Sequence, residues 1–434
     1  MVVLKKKVIL FDEIERILKM DFLIKAPDKI STTIHLPASK SISNRVLLLN
    51  ALSADPQEIK HLADCDDTFV MENALRAQQP EIDVKAAGTA MRFLTAYIAG
   101  KQGRWTITGT ERMRNRPIKI LVDALNTLGA RIKYADKEGF PPLQIDGCQL
   151  EGGEIWLDGG VSSQYISALL MVAPLMTHGI RLHLTGSIIS KPYLQMTIRL
   201  MNEFGITIKE EEENTFSVHP QSYIPVPFTV ESDWSAASYW YEMVALSTDA
   251  EVILTRLNTD SLQGDAQIVS LFDQLGVETT FTSTGVMIKR KERNMNVPFV
   301  HDFTDMPDMA QTFAVTCAML DIPFYFSGLQ SLKIKETDRL AALGTELSKL
   351  GFRLNERDGH ILQWSGERTE CEASPVIQTY DDHRMAMAFA PVAIRNGEGI
   401  RIADCEVVSK SYPHFRDDLL KAGFQLTRLE RIIF

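Results

Sequence analysis

An internal repeat constrains the fold of this chain more than any other feature of its sequence. Five segments share one pattern, in which an amphipathic helical run ends at a glycine and a short strand-like run follows at once. A glycine beyond the last helical turn supplies the left-handed conformation that closes a helix. Neighbouring copies are 71 to 76 residues apart, with the glycines at Gly129, Gly205, Gly276, Gly351 and Gly423. The pattern predicts repeated units of helix followed by strand, and ENALRAQQPEIDV resembles a sixth copy without the glycine.

The length of the repeat indicates what each unit contains. It exceeds the period of common solenoids and suits supersecondary units of about one βαβαββ each. Helical and strand patterns alternate throughout, so the predicted fold class is α/β. A chain of 434 residues usually divides into more than one core, which favours two domains. The acidic run KEEEEN at 209–214 is interpreted as a solvated turn between strands. Periodicity alone does not decide whether six units form one sheet or two groups of three.

Composition excludes several classes of protein. The net charge of −10 argues against a broad nucleic-acid surface, although a cleft can still concentrate positive charge. No apolar run is long enough to span a membrane, and Asp12, Glu13 and Glu15 interrupt any signal-peptide core. The five cysteines are scattered and show no CxxC spacing, so neither disulfides nor a zinc site is expected. The chain is therefore predicted to be cytoplasmic.

Basic and hydroxyl side chains recur where a loop leads into an apolar helix. In PASKSISNRVLLL, the residues Lys40, Ser41 and Arg45 surround a predicted helix start. Similar junctions are KAAGTAMR, GTERMRNRPIKI, GGVSSQYISALL and SIISKPYLQM. Free backbone N–H groups and the helix dipole make such a start a site for anions. Each junction alone could be an ordinary helix cap or a surface cation, but five together favour anion binding.

The second half of the chain carries mixed charges at similar junctions. The segments are FTDMPDMAQ, LKIKETDRLAAL, YDDHRMAMAFA and VVSKSYPHF, with charged residues Asp308, Lys335, Glu336, Arg339, Asp381, Asp382, His383, Arg384 and Lys410. Each could be an ion pair or a helix cap, and Asp381, Asp382 and His383 are best explained as structural. No spacing of His, Cys, Asp and Glu suggests a metal site.

Together these segments resemble the EPSP synthase family of enolpyruvyl transferases. The match runs from about Met20 to about Gly423, and the pieces SKSISNR, GTAMR, RPI, SSQ, SKPY, SLQGD, KETDRL and DHRMAM follow the family's order. The resemblance implies an α/β fold, a two-domain inside-out α/β barrel with three βαβαββ repeats per domain around a substrate cleft. It assigns residues 20–38 plus 233–434 to one discontinuous domain and residues 39–232 to an inserted domain. Residues 1–19 form an extra N-terminal segment, and Met20 is the hypothesised natural start.

The resemblance also implies an activity. The family transfers the enolpyruvyl group of phosphoenolpyruvate to the 5-hydroxyl of shikimate 3-phosphate and releases phosphate. The reaction is an addition followed by an elimination through a tetrahedral intermediate, and it belongs to chorismate and aromatic amino acid biosynthesis. The resemblance implies no metal or organic cofactor, no nucleic-acid or membrane partner, and a monomer.

The family's site residues map onto this chain position by position. For shikimate 3-phosphate the implied residues are Ser41, Arg45, Ser162, Ser163, Gln164, Ser190, Tyr193, Asp308, Ser331 and Lys335. For phosphoenolpyruvate they are Lys40, Gly88, Arg116, Gln164, Arg339, Arg384 and Lys410. Glu336 is implied as the proton donor to C3, and Asp308 as the base on the hydroxyl. Lys40 is implied to stabilise or protonate the leaving phosphate.

The chain departs from the family's usual pattern in one segment. The family commonly has LGNAGTAMRP, whereas this chain has VKAAGTAMRF, so that Lys85, Ala86 and Phe93 replace Gly, Asn and Pro. Ser331 stands where an Asn usually helps to hold the shikimate phosphate, although a serine can still donate. The departures leave affinity and sensitivity to glyphosate, a mimic of phosphoenolpyruvate, open.

Two other functions remain open from the sequence. One is that of UDP-N-acetylglucosamine 1-carboxyvinyltransferase, which uses a loop cysteine five residues before an Arg-Pro pair. In this chain the pair is Arg116-Pro117 and the matching residue is Glu111. The other is that of a substrate-binding homologue with weakened catalysis. Lys85 and Ala86 are the only residues that favour this second function.

Overall fold

The structure is a computed structural model that describes residues 20–77, 79–293 and 298–429. Its strands are β1 (Asp21–Lys25), β2 (Ile30–Ile34), β3 (Ile59–Lys60), β4 (Glu81–Asp83), β5 (Gly103–Thr108), β6 (Ile132–Tyr134), β7 (Leu143–Gly147), β8 (Gly153–Asp158), β9 (Ile180–Thr185), β10 (Lys209–Glu212), β11 (Thr215–Val218), β12 (Phe228–Thr229), β13 (Ala250–Thr255), β14 (Val277–Thr282), β15 (Gly285–Arg290), β16 (Phe299–Asp302), β17 (Phe324–Ser327), β18 (Asn355–Arg357), β19 (Ile361–Trp364), β20 (Val376–Ile377), β21 (Ile400–Ile402) and β22 (Gln425–Leu429).

The α-helices are α1 (Lys40–Leu52), α2 (Asp66–Arg76), α3 (Gly88–Ala99), α4 (Glu111–Arg114), α5 (Lys119–Thr127), α6 (Ser163–Val172), α7 (Lys191–Glu203), α8 (Trp234–Leu246), α9 (Ile268–Gln274), α10 (Ala310–Met319), α11 (Arg339–Lys349), α12 (His383–Phe389) and α13 (Phe415–Lys421). Short 3₁₀ helices lie at Ala173–Leu175, Gly264–Gln267, Pro307–Met309, Gln330–Ile334, Ala390–Ile394 and Cys405–Lys410.

One sheet topology recurs five times within the described residues. The four-stranded sheets have the orders β20-β21-β1-β22, β10-β11-β9-β8, β14-β15-β13-β2, β16-β17-β19-β18 and β4-β5-β7-β6, and β12 and β3 form a two-stranded sheet. Each four-stranded sheet joins one parallel pair to two antiparallel pairs. Parallel pairs need a crossover, usually a helix, and antiparallel pairs can close through a tight turn. The sheets therefore have the arrangement that the predicted βαβαββ unit requires.

The repeat glycines end five helices as the sequence predicts. Their φ angles lie between 81° and 99°, a region that favours glycine because it has no Cβ atom. The strands that follow them are β6, β10, β14, β18 and β22, and each is an antiparallel edge strand of its sheet. The weaker copy ENALRAQQPEIDV also contains a helix and a strand, but β4 pairs in parallel with β5. It is therefore not equivalent to the other five.

The interpretation of the acidic run at 209–214 as a turn between strands was right for Glu213 and Asn214 but wrong for the four residues before them. Lys209–Glu212 form β10, an edge strand whose side chains are exposed and whose backbone pairs with β11. Charged side chains on an edge strand hinder pairing with other chains. The exposed pattern that suggested a turn therefore also fits an edge strand.

The helices divide into a buried and an outer set. Most residues of α1, α3, α6, α8, α10 and α12 are buried. A helix that is apolar on all sides has to lie in a core. The sheets lie outside these helices, with strands such as β8 alternating between buried and exposed residues. The order of helices inside and sheets outside agrees with the predicted inside-out architecture.

The buried apolar residues form two separate clusters. One contains residues from 24–36 and 234–424, and the other contains residues from 38–230. The chain crosses between them twice at one place, where Ala38 and Ser232 form an antiparallel bridge. Hydrogen bonds from Ser39 N to Glu231 O (2.8 Å) and from Asp233 N to Pro37 O (2.9 Å) extend this pairing. The clusters and the bridge support the predicted domain boundaries at 38/39 and 232/233, which stay a prediction.

Candidate functional site

A cavity of about 400 Å³ lies where the two apolar clusters face each other. Its basic lining residues are Lys40, Arg45, Arg92, Arg116, Lys119, Lys335, Arg339 and Arg384, and its acidic ones are Asp67, Asp308 and Glu336. The cavity is therefore strongly basic in a chain whose net charge is −10. Positive charge inside a cleft attracts anionic ligands even when the protein as a whole is acidic.

The cavity brings together almost every residue that the sequence predicts for the site. From the part 39–232 it is lined by Lys40, Ser41, Arg45, Gly88, Arg116, Ser162, Ser163, Gln164, Ser190 and Tyr193. From the remaining part it is lined by Asp308, Ser331, Lys335, Glu336, Arg339 and Arg384. Lys410 is not part of the lining and reaches the site through a 2.9 Å contact between its Nζ and Glu336 Oε1.

Helix starts position the polar residues of the part 39–232. Helices α1, α3 and α6 begin at Lys40, Gly88 and Ser163, and all three residues line the cavity. The Ser162 hydroxyl caps α6 by accepting from the backbone N–H of Gln164 at 3.4 Å. The amide of Gln164 donates to the hydroxyl of Thr89 at 3.1 Å, which joins the starts of α6 and α3. Several helix N-termini, each attractive to anions, therefore converge on one cavity.

Gly88 lies directly against the guanidinium group of Arg116. A Cβ atom at position 88 would be 2.6 Å from Arg116 Nη1, so any side chain there would have to displace the guanidinium group. The Nε atom of Arg116 is buried and has no hydrogen-bond partner among the described residues. A buried donor without a partner is costly, so Arg116 is suited to receive an acceptor from a ligand.

Arg45 is held by neutral groups. Its guanidinium donates to the Thr197 hydroxyl at 2.7 Å and to the Ser41 carbonyl oxygen at 2.9 Å. It also lies 5.3 Å from the centre of the Phe93 ring and 5.9 Å from that of Tyr193. Burial lowers the pKa of Arg45 to about 10. Phe93, which departs from the family pattern, is therefore a buried support for Arg45.

Asp308 is surrounded by three cations. Its carboxylate lies 2.7 Å from Arg339 Nη1, 3.3 Å from Lys335 Nζ and 3.7 Å from Arg384 Nη2. Burial alone raises the pKa of Asp308, but Lys335, Arg384 and Arg339 outweigh it and hold the pKa well below the usual range of a carboxyl group. In this structure Asp308 is a carboxylate.

Glu336 has a similar environment. Its Oε1 lies 2.9 Å from Lys410 Nζ and its Oε2 lies 3.0 Å from Arg339 Nη2. Burial acts to raise the pKa of Glu336, but Lys410, Arg339 and Arg116 lower it well below the ordinary value. Both predicted catalytic carboxylates are thus ion-paired with residues predicted to hold phosphoenolpyruvate or the shikimate phosphate.

Asp382 anchors Arg339 from behind. Its two oxygens accept from Arg339 Nε at 2.7 Å and from Arg339 Nη2 at 3.2 Å, which is a bidentate contact. Its Oδ1 also accepts from the backbone N–H of Arg384 and caps α12. The interpretation of Asp382 as a structural residue agrees with these contacts, and they fix the position of two predicted ligand-binding arginines.

Lys40 and His383 both line the cavity. Lys40 Nζ lies 3.3 Å from Asp67 Oδ2, and both residues line the cavity. The Nδ1 atom of His383 is buried and has no hydrogen-bond partner within the described part of the chain. Burial, together with Lys40 and Lys410, lowers the pKa of His383 well below its ordinary value, so the ring is neutral. A neutral imidazole does not compete with the cations for an anion.

Lys85, the most conspicuous departure from the family pattern, does not line the cavity. Its ammonium group pairs with Asp83 Oδ2 at 2.5 Å on the surface. The possibility that Lys85 enters the phosphoenolpyruvate pocket is therefore not supported by its position.

Several lining residues were given no individual role from the sequence, although Thr89 and Arg92 belong to the junction KAAGTAMR, which was predicted to favour anion binding. Arg92 donates to the carbonyl oxygens of Gly88 at 3.2 Å and Pro117 at 3.1 Å, and burial lowers its pKa to about 10. Asp67, Thr89 and Tyr165 also line the cavity. The basic residue one turn into α3 was the available signal for Arg92, whereas nothing in the local sequence distinguishes Tyr165 from a core residue. None of the helices in the described part of the chain combines the length and the apolar character needed to cross a membrane.

Comparisons with known proteins identify the family. The family model "EPSP synthase (3-phosphoshikimate 1-carboxyvinyltransferase)" matches residues 24–82 and 76–419. The 3-phosphoshikimate 1-carboxyvinyltransferase of Bacteroides fragilis (strain YCH46) is 55% identical over 405 residues, which cover 93% of this chain and 98% of that protein. The enzyme of that name from Photobacterium profundum is 36% identical over 90% of this chain and 96% of its own. The structure of EPSP synthase from Acinetobacter baumannii superposes with a TM-score of 0.75 at 20% identity, over 94% of this chain and 100% of that one. The fold is thus the two-domain inside-out α/β fold, and the chain belongs to the EPSP synthase family.

Proposed function

We propose that this chain transfers the enolpyruvyl group of phosphoenolpyruvate to the 5-hydroxyl of shikimate 3-phosphate and releases phosphate. Family membership over nearly the whole chain supports the reaction. The basic cavity between the two apolar clusters supports the assignment of the site. We further propose that the chain acts in the cytoplasm as a monomer.

One feature of the site carries the proposal: several of its cations are paired with the protein's own carboxylates. Arg339, Lys335 and Arg384 surround Asp308, and Arg339 and Lys410 hold Glu336. An anionic ligand can replace these internal contacts one for one. Planar guanidinium groups suit a carboxylate, and lysine supplies a compact charge for phosphate.

The residues then divide between the two substrates. Ser162, Ser163, Ser190 and Lys335, with Ser331, hold the phosphate of shikimate 3-phosphate. Its ring and carboxylate contact Ser41, Arg45, Gln164, Tyr193 and Asp308. Arg339 and Arg384 bind the carboxylate of phosphoenolpyruvate, whose phosphate contacts Lys40, Gly88, Arg116, Gln164 and Lys410. The buried and unpaired Ser331 hydroxyl and Arg116 Nε are available for such contacts.

The proposed chemistry begins with addition. Glu336 gives a proton to C3 of phosphoenolpyruvate, Asp308 takes the proton of the 5-hydroxyl, and the hydroxyl oxygen bonds to C2. The tetrahedral product then loses phosphate by cleavage of the C2–O bond, and C3 returns a proton to Glu336 as the double bond is restored. The departing phosphate takes up the proton that Asp308 removed from the hydroxyl, so both carboxyl groups regain their starting states. Lys40 stabilises the charge that develops on the leaving phosphate. Positioned acid and base groups of this kind contribute about 10²- to 10⁴-fold each.

Substrate binding has to change the protonation of Glu336 for this role. In the described structure Lys410 and Arg339 keep Glu336 ionised, and an ionised carboxylate cannot donate a proton. When phosphoenolpyruvate engages the same two cations, they no longer favour the ionised form of Glu336. Its pKa then rises, because burial is left as the dominant effect. Binding of phosphoenolpyruvate would thereby allow Glu336 to hold the proton that it donates.

The UDP-N-acetylglucosamine alternative is not favoured. It requires a cysteine where this chain has Glu111, the first residue of α4. The weakened homologue is also less well supported, because Lys85 pairs with Asp83 outside the cavity.

The decisive experiment measures phosphate release from phosphoenolpyruvate with two acceptors in parallel. Release with shikimate 3-phosphate alone is the expected result. Release with UDP-N-acetylglucosamine alone would replace the proposed acceptor. Binding of both substrates without phosphate release would favour the homologue with weakened catalysis.

A further inference from the structure

A buried carboxylate lies behind the cavity and has no role in the chemistry described above. Asp265 is 3% exposed and does not line the cavity. Its Oδ2 accepts hydrogen bonds from the hydroxyl groups of Ser235 and Tyr193, the latter at 3.5 Å. Its Oδ1 is buried without a hydrogen-bond partner among the described residues. Burial of a carboxylate with one unsatisfied oxygen is costly and calls for an explanation.

The two hydrogen-bond partners of Asp265 connect it to predicted substrate-binding residues. Tyr193 itself lines the cavity on the shikimate 3-phosphate side. Ser235 has a single hydroxyl hydrogen, and Asp265 can only accept it. The Ser235 oxygen is therefore left to accept from Arg384 Nη2, which lies 3.5 Å away. Asp265 thus contacts Tyr193 directly and Arg384 through one hydroxyl group.

We propose that Asp265 is a positioning residue that sets Tyr193 for the acceptor and, through Ser235, sets Arg384 for phosphoenolpyruvate. The proposal rests on the proposed function of the cavity. Since the Asp265 carboxylate can only accept hydrogen bonds, the phenol of Tyr193 donates its one hydrogen to Asp265. The Tyr193 oxygen can then only accept a hydrogen bond from a substrate hydroxyl. Burial, with Asp265 and Asp308 nearby, raises the pKa of Tyr193 well above its ordinary value, so the phenol keeps this hydrogen.

The segment that carries Asp265 is built to make this contact across the two parts of the chain. A Cβ atom at Gly264 would lie 2.2 Å from Pro192 Cβ, so only glycine allows Asp265 to approach the start of α7. Gln263 accepts from Trp234 N at 3.0 Å and donates to Ser232 O at 2.8 Å. These bonds tie the segment to the place where the chain crosses between the clusters, and they hold Ser235 beside Asp265.

The charge of Asp265 is also part of the arrangement. Burial raises its pKa to about 6, although the Ser235 hydrogen bond and Arg384 act in the opposite direction. At neutral pH it is a carboxylate, and its attraction to Arg384 restrains that arginine. An asparagine of the same shape would keep an acceptor for one hydroxyl but would lose this attraction.

The test compares Asp265→Asn with Ser235→Ala, and Glu356→Gln is the matched control. Glu356 pairs with Lys333 at 2.6 Å and does not line the cavity. The KM for each substrate, kcat and the thermal unfolding midpoint are measured for all variants. For Ser235→Ala we expect the KM for phosphoenolpyruvate to rise about 3- to 10-fold while the KM for shikimate 3-phosphate stays within about 2-fold, the effect of one lost hydrogen bond. For Asp265→Asn we expect both KM values to rise.

A purely structural role gives a different result. It would lower the unfolding midpoint of Asp265→Asn and leave both KM values at the wild-type level, which would overturn the proposal. If Asp265→Asn does not fold, the Ser235→Ala variant alone tests the proposal. Equal changes in its two KM values would then overturn the link between Ser235 and Arg384. Failure of the proposed function is distinguishable, because the wild-type protein would then show no turnover with these substrates at all.

Discussion

Replacement of Glu336 by glutamine separates the two roles that the structure assigns to this carboxylate. The change keeps the shape of the side chain but removes both its charge and its transferable proton. In the wild-type protein Glu336 contacts Lys410 at 2.9 Å and Arg339 at 3.0 Å. The variant therefore loses the proposed acid, and it also loses the internal counterion of two cations predicted to hold phosphoenolpyruvate.

The two losses have opposite consequences. Without the proton donor, kcat should fall about 10²- to 10⁴-fold, the usual contribution of a positioned general acid. Phosphoenolpyruvate no longer has to displace a carboxylate from Lys410 and Arg339. Its dissociation constant should therefore stay unchanged or fall by up to about 10-fold, as expected when one charge-assisted hydrogen bond of about 1.5 kcal/mol no longer competes.

Two assays read these effects separately. Phosphate release with both substrates gives kcat, and calorimetric titration of phosphoenolpyruvate without the acceptor gives the dissociation constant free of turnover. Glu356→Gln, a surface carboxylate paired with Lys333, serves as the control and should resemble the wild type in both. Near-normal turnover of Glu336→Gln would refute the proton-donor role. Clearly weaker binding of phosphoenolpyruvate would refute the counterion argument.

Three further predictions follow from the same contacts. Arg384→Ala should raise the KM for phosphoenolpyruvate about 30- to 100-fold through loss of a charge-assisted contact, and steady-state kinetics showing only a change for shikimate 3-phosphate would contradict it. Gly88→Ala should raise the same KM about 10-fold, because its Cβ atom displaces Arg116; unchanged kinetics would contradict the close approach. The pKa values of Asp308 and Glu336 are depressed from 3.8 and 4.5, so their contribution to stability is present above those values and lost as the pH falls below them. Urea unfolding between about pH 3 and 5 should therefore depend less on pH in Asp308→Asn than in the wild type.

Much of the fold was accessible from the sequence because its signals are local. A glycine after a helix determines how that helix ends, and all five repeat glycines have the predicted positive φ. The apolar helices that begin at Lys40 and Gly88 are buried, as their composition requires. Residues 209–212 of the acidic run were misinterpreted because exposure alone does not separate a turn from an edge strand. Strand pairing depends on a partner elsewhere in the chain, here β11.

The site was predictable as a set of residues but not as a set of contacts. Motifs carried over from the family name the ligand-binding side chains, and the cavity brings nearly all of them together. Which carboxylate neutralises which cation depends on distances between segments far apart in the sequence. The bidentate pair of Arg339 and Asp382, 43 positions apart, is one example. Asp265 is another, since its contacts with Tyr193 and Ser235 arise only where the two parts of the chain meet.

The two parts of the chain share one topology but contribute differently to the cavity. The part 39–232 supplies helix starts with hydroxyl and amide groups, such as Ser162 and Gln164, and also cations such as Arg45, which neutral groups hold. The other part supplies charges that are already paired with one another around Arg339. Leaving a buried charge unpaired costs more than leaving a neutral donor unpaired. The carboxylates that neutralise these charges are therefore the groups best placed to exchange protons once the substrates bind their cations.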